Sequence, residues 1–153
     1  LLNVAVDTNV LAYAEGIDDA ERQASSRRLM LLLSGEAVVI PVQVLGELYN
    51  VLVRRGGWSS ERARSAIAAW RNGFVVAPTT EAAMVAAFDL AADHRLSIWD
   101  SVIICVAAES GCRLLLSEDM QDGFSWRGVT VVNPFATSLH PLLEAFLSET
   151  GDG

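Results

Sequence analysis

Asn3-Val4-Ala5-Val6-Asp7-Thr8-Asn9 is the stretch that decides the fold. Its apolar residues run together instead of alternating with polar ones. It therefore reads as a strand, Asn3–Asp7, buried on both faces, and such strands belong to parallel sheets covered by helices. Asp7 ends the strand, and Thr8-Asn9 turns the chain into a helical segment around Val10–Ala14. A carboxylate at that position points out of the carboxyl edge of the sheet, where open α/β sheets bind ligands.

Outward from this strand the alternation repeats. A helix is expected from about Asp19 to Leu33, capped by Asp18 or Asp19 and stopped by Gly35. Ala37–Ile40 reads as the second strand, ended by Pro41. Gln43–Arg55 is an amphipathic helix closed by Gly56-Gly57. A further helix spans about Ser60–Arg71, and Gly73 leads into a third strand, Phe74–Ala77. Thr80 caps a helix that reaches about His94, and Asp100–Glu109 forms another, stopped by Gly111. Arg113–Leu116 and Val129–Val132 are the fourth and fifth strands. Leu139–Leu147 is the last helix, and residues 151–153 are expected as a disordered tail. The expected class is α/β, a three-layer α/β/α sandwich in one domain over residues 1–150. There is no internal repeat, linker or low-complexity tract.

The bulk numbers agree with one domain and a sizeable core: 153 residues, 52% hydrophobic, mean hydropathy +0.33. No apolar run approaches the ~18 residues that span a bilayer, so no membrane association is expected. No signal segment is expected either, because the chain already reads as a strand at Asn3. Cys105 and Cys112 form no CxxC pair, and Cys105 falls in an apolar helical run. A buried thiol in the reducing cytoplasm is the plain reading. The net charge of −8 argues against a basic coat that clings to any nucleic acid. All eleven basic residues are arginine. The absence of lysine excludes Walker-A phosphate binding, Schiff-base chemistry and a lysine base. It also counts against a receiver-type phosphotransfer domain. His94 and His140 are the only histidines, too few for a histidine-rich zinc site.

Four distant carboxylates stand at related places in this pattern. Asp7 leaves the first strand, where capping the next helix is an equally good reading. Glu47 shares the apolar face of Val44, Leu48 and Val51. An unpaired carboxylate there costs several kcal/mol or stays protonated, unless it reaches water, an arginine or a cation. Asp100 opens its helix, with N-capping again the alternative and Trp99 as a hydrophobic staple before it; a helix N-terminus also keeps an acid ionised. Asp119 follows the fourth strand as Asp7 follows the first, with Ser117 placed to hydrogen-bond it. A solvated acidic turn with Glu118 and Asp122 is the alternative, and Asp122 is a candidate outer member. Gathered together, four acids repel strongly. Mg²⁺ or Mn²⁺, which take hard oxygen ligands, would relieve that repulsion.

Asp7-Thr8-Asn9 after the first strand, Glu47 in the helix after the second, Trp99-Asp100 opening a helix, and Ser117-Glu118-Asp119 after the fourth strand resemble the PIN-domain nucleases. More narrowly they resemble the VapC-type toxins of toxin–antitoxin pairs. The likeness extends to Val131-Val132-Asn133-Pro134-Phe135, similar to the family's last strand. The resemblance implies a five-stranded parallel sheet of order 3-2-1-4-5 and metal-dependent endoribonuclease activity. It implies Asp7, Glu47, Asp100 and Asp119 as catalytic metal ligands, with Thr8 and Ser117 as supporting hydroxyls. It further implies a homodimer and a small antitoxin over the acidic site. The apolar runs Leu29–Leu33 and Leu45–Val53 are candidate surfaces for either. Expected chemistry is attack by water, with Glu47 or Asp119 as proton acceptor, leaving a 5′-phosphate and a 3′-hydroxyl. Arg54, Arg55 and Arg95 are candidate phosphate contacts. The competing expectation is an inactive PIN-like adaptor module.

Overall fold

The computed structural model describes residues 3–33, 35 and 37–151. The elements run β1 (Asn3–Val6), α1 (Thr8–Ala14), α2 (Ala20–Leu32), β2 (Val38–Pro41), α3 (Val42–Arg54), α4 (Ser60–Gly73) and β3 (Val75–Ala77). Then follow α5 (Glu81–His94), α6 (Ile98–Glu109), β4 (Cys112–Leu116), β5 (Ser125–Trp126), β6 (Val129–Val132) and α7 (Pro141–Gly151). Helix α7 therefore takes in Gly151, and the rest of the expected tail, Asp152 and Gly153, lies outside the described residues.

The sheet has the order β3-β2-β1-β4-β6-β5. Its first five members are parallel and reproduce the expected 3-2-1-4-5 arrangement. The expectation of five strands is corrected to six: β5 pairs antiparallel with β6. The hairpin turns through Arg127 (φ 45°) and Gly128 (φ 85°). Two positive φ values are what a two-residue turn needs to match the twist of its strands. Arginine in the first of these positions, where Asn or Asp is usual, concealed the turn.

Helices flank the sheet. One group packs α1 on α2 and α3, and α3 on α4; the other packs α5 on α6. Burial explains the apolar strands: Val4, Ala5, Val6, Ile40, Leu115 and Leu116 have no more than trace exposure. Helix α6 is buried from Ser101 through Ala107, a run fit for a helix enclosed on all sides. Its start corrects another expectation. Ser97, not Asp100, is the N-cap, its Oγ accepting from the Asp100 N–H at 3.0 Å. Trp99 is 57% exposed and lies inside the first turn of α6, not at the position of a staple before it. The apolar run Leu29–Leu33 divides: Leu29, Met30 and Leu33 are buried, whereas Leu31 and Leu32 face outward. Among the described residues no helix is long and apolar enough to cross a membrane. Both end strands are short, three residues for β3 and two for β5.

Candidate active site

Parallel strands deliver their next residues to one edge of the sheet, and here that edge is acidic. Asp7, Glu47, Asp100 and Asp119 line a single cleft of 320 Å³ together with Thr8 and Asn9. They come from four elements: the exit of β1, the second turn of α3, the first turn of α6 and the loop after β4.

Asp7 is at once the N-cap of α1 and a wall of the cleft, so both readings of it hold. Its side chain is 5% exposed. Oδ1 accepts from the Thr8 N–H at 2.7 Å, and Oδ2 from the Ser117 hydroxyl at 2.7 Å and the Asn9 amide at 3.2 Å. Burial pushes the carboxyl up to about 6, against the lowering pull of the Ser117 and Thr8 hydrogen bonds; the charges of Asp100 and Glu47 raise it further. Asp100 is also raised, first by burial and then by Glu47 and Asp119, with Ser97 opposing. The four acids thus already act on one another electrostatically.

Glu47 escapes the predicted conflict on its apolar helix face by reaching the rim. Its Oε2 accepts from the Thr8 hydroxyl at 2.5 Å and its Oε1 from the Gln43 amide at 2.9 Å. Asp119 is exposed, and its Oδ2 accepts from Asn9 at 3.3 Å. Ser117 serves Asp7 and also accepts from the Met120 N–H at 3.3 Å, so it does not bond Asp119. Asp122 stands apart from the cleft, where its Oδ1 accepts from the Asn133 N–H at 2.8 Å.

Sequence reading overlooked two amides. Asn9 Nδ2 reaches Asp7, Ser117 and Asp119, while its Oδ1 accepts from the Glu118 N–H at 3.1 Å; it ties the exits of β1 and β4 together. Gln43 donates to Glu47 and, at 3.1 Å, to the Trp99 carbonyl, linking α3 to the first turn of α6. The available signals were an Asn two residues after Asp7 and a Gln one helical turn before Glu47.

Glu118 is turned away from the acids. Tyr13 donates to it at 2.7 Å and Arg22 Nε at 2.6 Å. Of the three candidate phosphate contacts, Arg55 lines the cleft and pairs with Asp18. Arg54 and Arg95 do not line it, and Arg95 is the left-handed residue (φ 55°) that ends α5.

As described, no three Asp, Glu, His or Cys side chains stand at the spacing of a ready-made metal site among the described residues. The donor set nonetheless fits a hard divalent cation. It consists of carboxylate oxygens from four acids that share a single cleft, in which the neighbouring charges raise the proton affinity of Asp7 and Asp100.

A family model described as PIN domain matches residues 4–124. No curated protein sequence matches the chain. Several solved structures share the fold. VapC20 of Mycobacterium tuberculosis, described as a Sarcin-Ricin loop cleaving toxin, is 25% identical with a TM-score of 0.63, over 74% of this chain and 87% of that one. A toxin-antitoxin complex from Klebsiella pneumoniae gives 17% identity and a TM-score of 0.63, covering 87% and 98%. DNA-bound VapBC from Salmonella typhimurium gives 16% and 0.62, covering 86% and 97%. The family model spans most of the chain, and the strand order and acidic edge accord with it, so this protein belongs to the PIN domain family.

Proposed function

We propose that this protein is a metal-dependent endoribonuclease and the toxin of a toxin–antitoxin pair. The observation that carries the reading is the meeting of Asp7, Glu47, Asp100 and Asp119 in one cleft at the carboxyl edge of the sheet. These four carboxylates would hold Mg²⁺ or Mn²⁺. A divalent ion there supplies an acidified water and neutralises charge on the phosphate. The chain's own groups do the rest. Ser117 and the Thr8 N–H keep Asp7 ionised against its burial. Thr8 and Gln43 fix the two oxygens of Glu47. Asn9 holds Asp119 beside Asp7. A carboxylate oxygen of Glu47 or Asp119 accepts the proton of the attacking water. Arg55, the one cation lining the cleft among the described residues, offers N–H donors to a phosphate oxygen. The products carry 5′-phosphate and 3′-hydroxyl ends.

RNA cleavage measured with and without EDTA, and in Asp7→Asn and Asp100→Asn, tests this directly. Activity that survives chelation or either substitution would overturn it. The competing reading is an inactive adaptor, and the presence of all four acids in one cleft counts against it. Calorimetric titration with Mg²⁺ separates the two, since an adaptor takes up no ion at these residues.

The same reading includes a small antitoxin partner and a homodimer. Two of the similar structures are described as a toxin-antitoxin complex and as VapBC bound to DNA. Exposed Leu31 and Leu32, beside a groove lined by Met30, Trp70 and Phe74, offer a surface for such a partner. A cytoplasmic site of action accords with two free, buried thiols, Cys105 and Cys112.

A further inference from the structure

Asp100 and Asp119 have a second side. On one they face the acidic cleft; on the other they border a separate pocket of about 100 Å³ whose walls include Leu96, Ile104, Phe124 and Gln121. We propose that this pocket is a nucleobase subsite that takes one pyrimidine of the RNA strand, next to the phosphate held at the carboxylates. The proposal rests on the nuclease reading and deepens it by naming what sets the cleavage sequence.

Size selects the occupant first. An apolar cavity of about 150 Å³ is enough to take up benzene. At about 100 Å³ this pocket is smaller than that but partly open, so a single six-membered ring suits it better than the fused pair of a purine. Lining chemistry selects it second. Single-stranded RNA is read by stacking bases on aromatic side chains and by hydrogen bonds to their exposed edges. Phe124, half-buried, supplies a ring, itself held edge-on by His94 at 5.3 Å between centroids. The Gln121 side chain is exposed, and its amide has no protein partner among the described residues; it carries both a donor and an acceptor for a base edge.

The walls are fixed before any ligand arrives. The Phe124 N–H donates to the Gln121 carbonyl at 3.2 Å, and the Gly123 N–H to the Val131 carbonyl at 2.8 Å. The Val131 N–H returns a bond to the Phe124 carbonyl at 2.8 Å. These bonds pin the 121–124 turn to β6, so little ordering is left for binding to impose. Position selects the occupant third. Because Asp100 and Asp119 line both cavities, a strand whose phosphate meets a cation held in the acidic cleft brings a neighbouring base to the mouth of the pocket.

The test has a binding arm and a cleavage arm. Short homopolymers of U, C, A and G are titrated by fluorescence anisotropy, in excess Mg²⁺, against Asp7→Asn protein, in which cleavage is expected to be slowed on the order of 100-fold or more. Cleavage ends made by the otherwise native protein in a random-sequence RNA are mapped by sequencing. A pyrimidine preference of about fivefold or more is expected in binding, because a purine too large for the pocket forfeits the contribution of one stacked base that a pyrimidine keeps, with a pyrimidine at one fixed position beside the cut. Leu96→Trp, which fills the pocket, should reduce that preference below about twofold. Gln121→Ala, at an exposed position and harmless to folding, should weaken discrimination between U and C. If the native protein neither binds nor cleaves any RNA, the nuclease reading and the subsite fall together. If it cleaves with purines and pyrimidines equally frequent at every position, the subsite alone falls. The same holds if the preference survives both substitutions.

Discussion

At the exit of β1 the first polar side chain is Asp7, 5% exposed and enclosed by three hydrogen bonds. At the exit of β4, the adjacent strand, it is Ser117, fully buried; the acid of that exit, Asp119, comes two residues later and lies exposed. The two exits divide the labour. One buries a charge at a cost in stability and so fixes its place. The other buries a neutral hydroxyl that supports its neighbour's charge, and leaves its own acid exposed, with the Asn9 amide as its bond to the first exit. An enclosed acid paired with an exposed one suits a site that takes both an ion and a phosphate.

The sharpest way to break this comparison is to neutralise each acid. Asp7→Asn and Asp119→Asn should each lower RNA cleavage on the order of 100-fold or more. Their effects on folding should differ. Without metal, Asp7→Asn should stabilise the protein at pH 7 by up to about 3 kcal/mol, because it removes a buried charge whose pKa lies some two units above its unfolded value. Asp119→Asn should stay within about 0.5 kcal/mol, as exposed substitutions do. Urea unfolding in EDTA measures both. Equal shifts for the two variants would abolish the distinction.

The pH dependence follows with the same sign. Asp7 binds a proton more tightly in the folded state than in the unfolded one. Its contribution therefore makes metal-free protein more stable as pH falls through about 6, with the full gain reached below the unfolded value of 3.8. Metal binding needs the ionised form, so Mg²⁺ affinity should fall over that same range. Thermal melts and Mg²⁺ titrations at pH 7.5 and pH 5 check the two opposed trends.

Ser117→Ala sharpens the dependence of one exit on the other. Losing a hydrogen bond to a charged group should cost about 1.5–3 kcal/mol at pH 7.5, and much less at pH 4.5 where Asp7 is neutral. The midpoint of the pH–activity profile should move upward, since the hydroxyl lowers the Asp7 pKa. The smallest effect is expected at Arg55, which belongs to neither exit. Arg55→Ala should weaken RNA binding and reduce the slope of log affinity against log salt by about 0.7, the share of one single-strand phosphate contact. Folding stability should be almost unchanged, because its pairing with Asp18 is largely exposed.

The parallel core was legible because strands buried on both faces must be continuously apolar, and those from Val4, Val38 and Leu114 are. The four acids were legible because three flank such strands or sit on an apolar helix face, where a carboxylate is conspicuous. Asn9 and Gln43 were not, since an amide at a helix start or on a helix surface is ordinary; only the fold reveals how many carboxylates each one touches. Strand β5 was hidden by its two-residue length and its Arg-Gly turn. The start of α6 was misplaced because Ser97 and Asp100 are both good capping residues, and it is the Ser97 hydroxyl that takes the Asp100 N–H.

The sheet ends at both sides in very brief strands, three residues at β3 and two at β5. They leave little unpaired main chain for an incoming polypeptide to zip onto. A protein that inhibits or assembles with this one is therefore better gripped through side chains than through main-chain pairing at the sheet edges. For the same reason the architecture disfavours stacking of molecules edge to edge into fibrils.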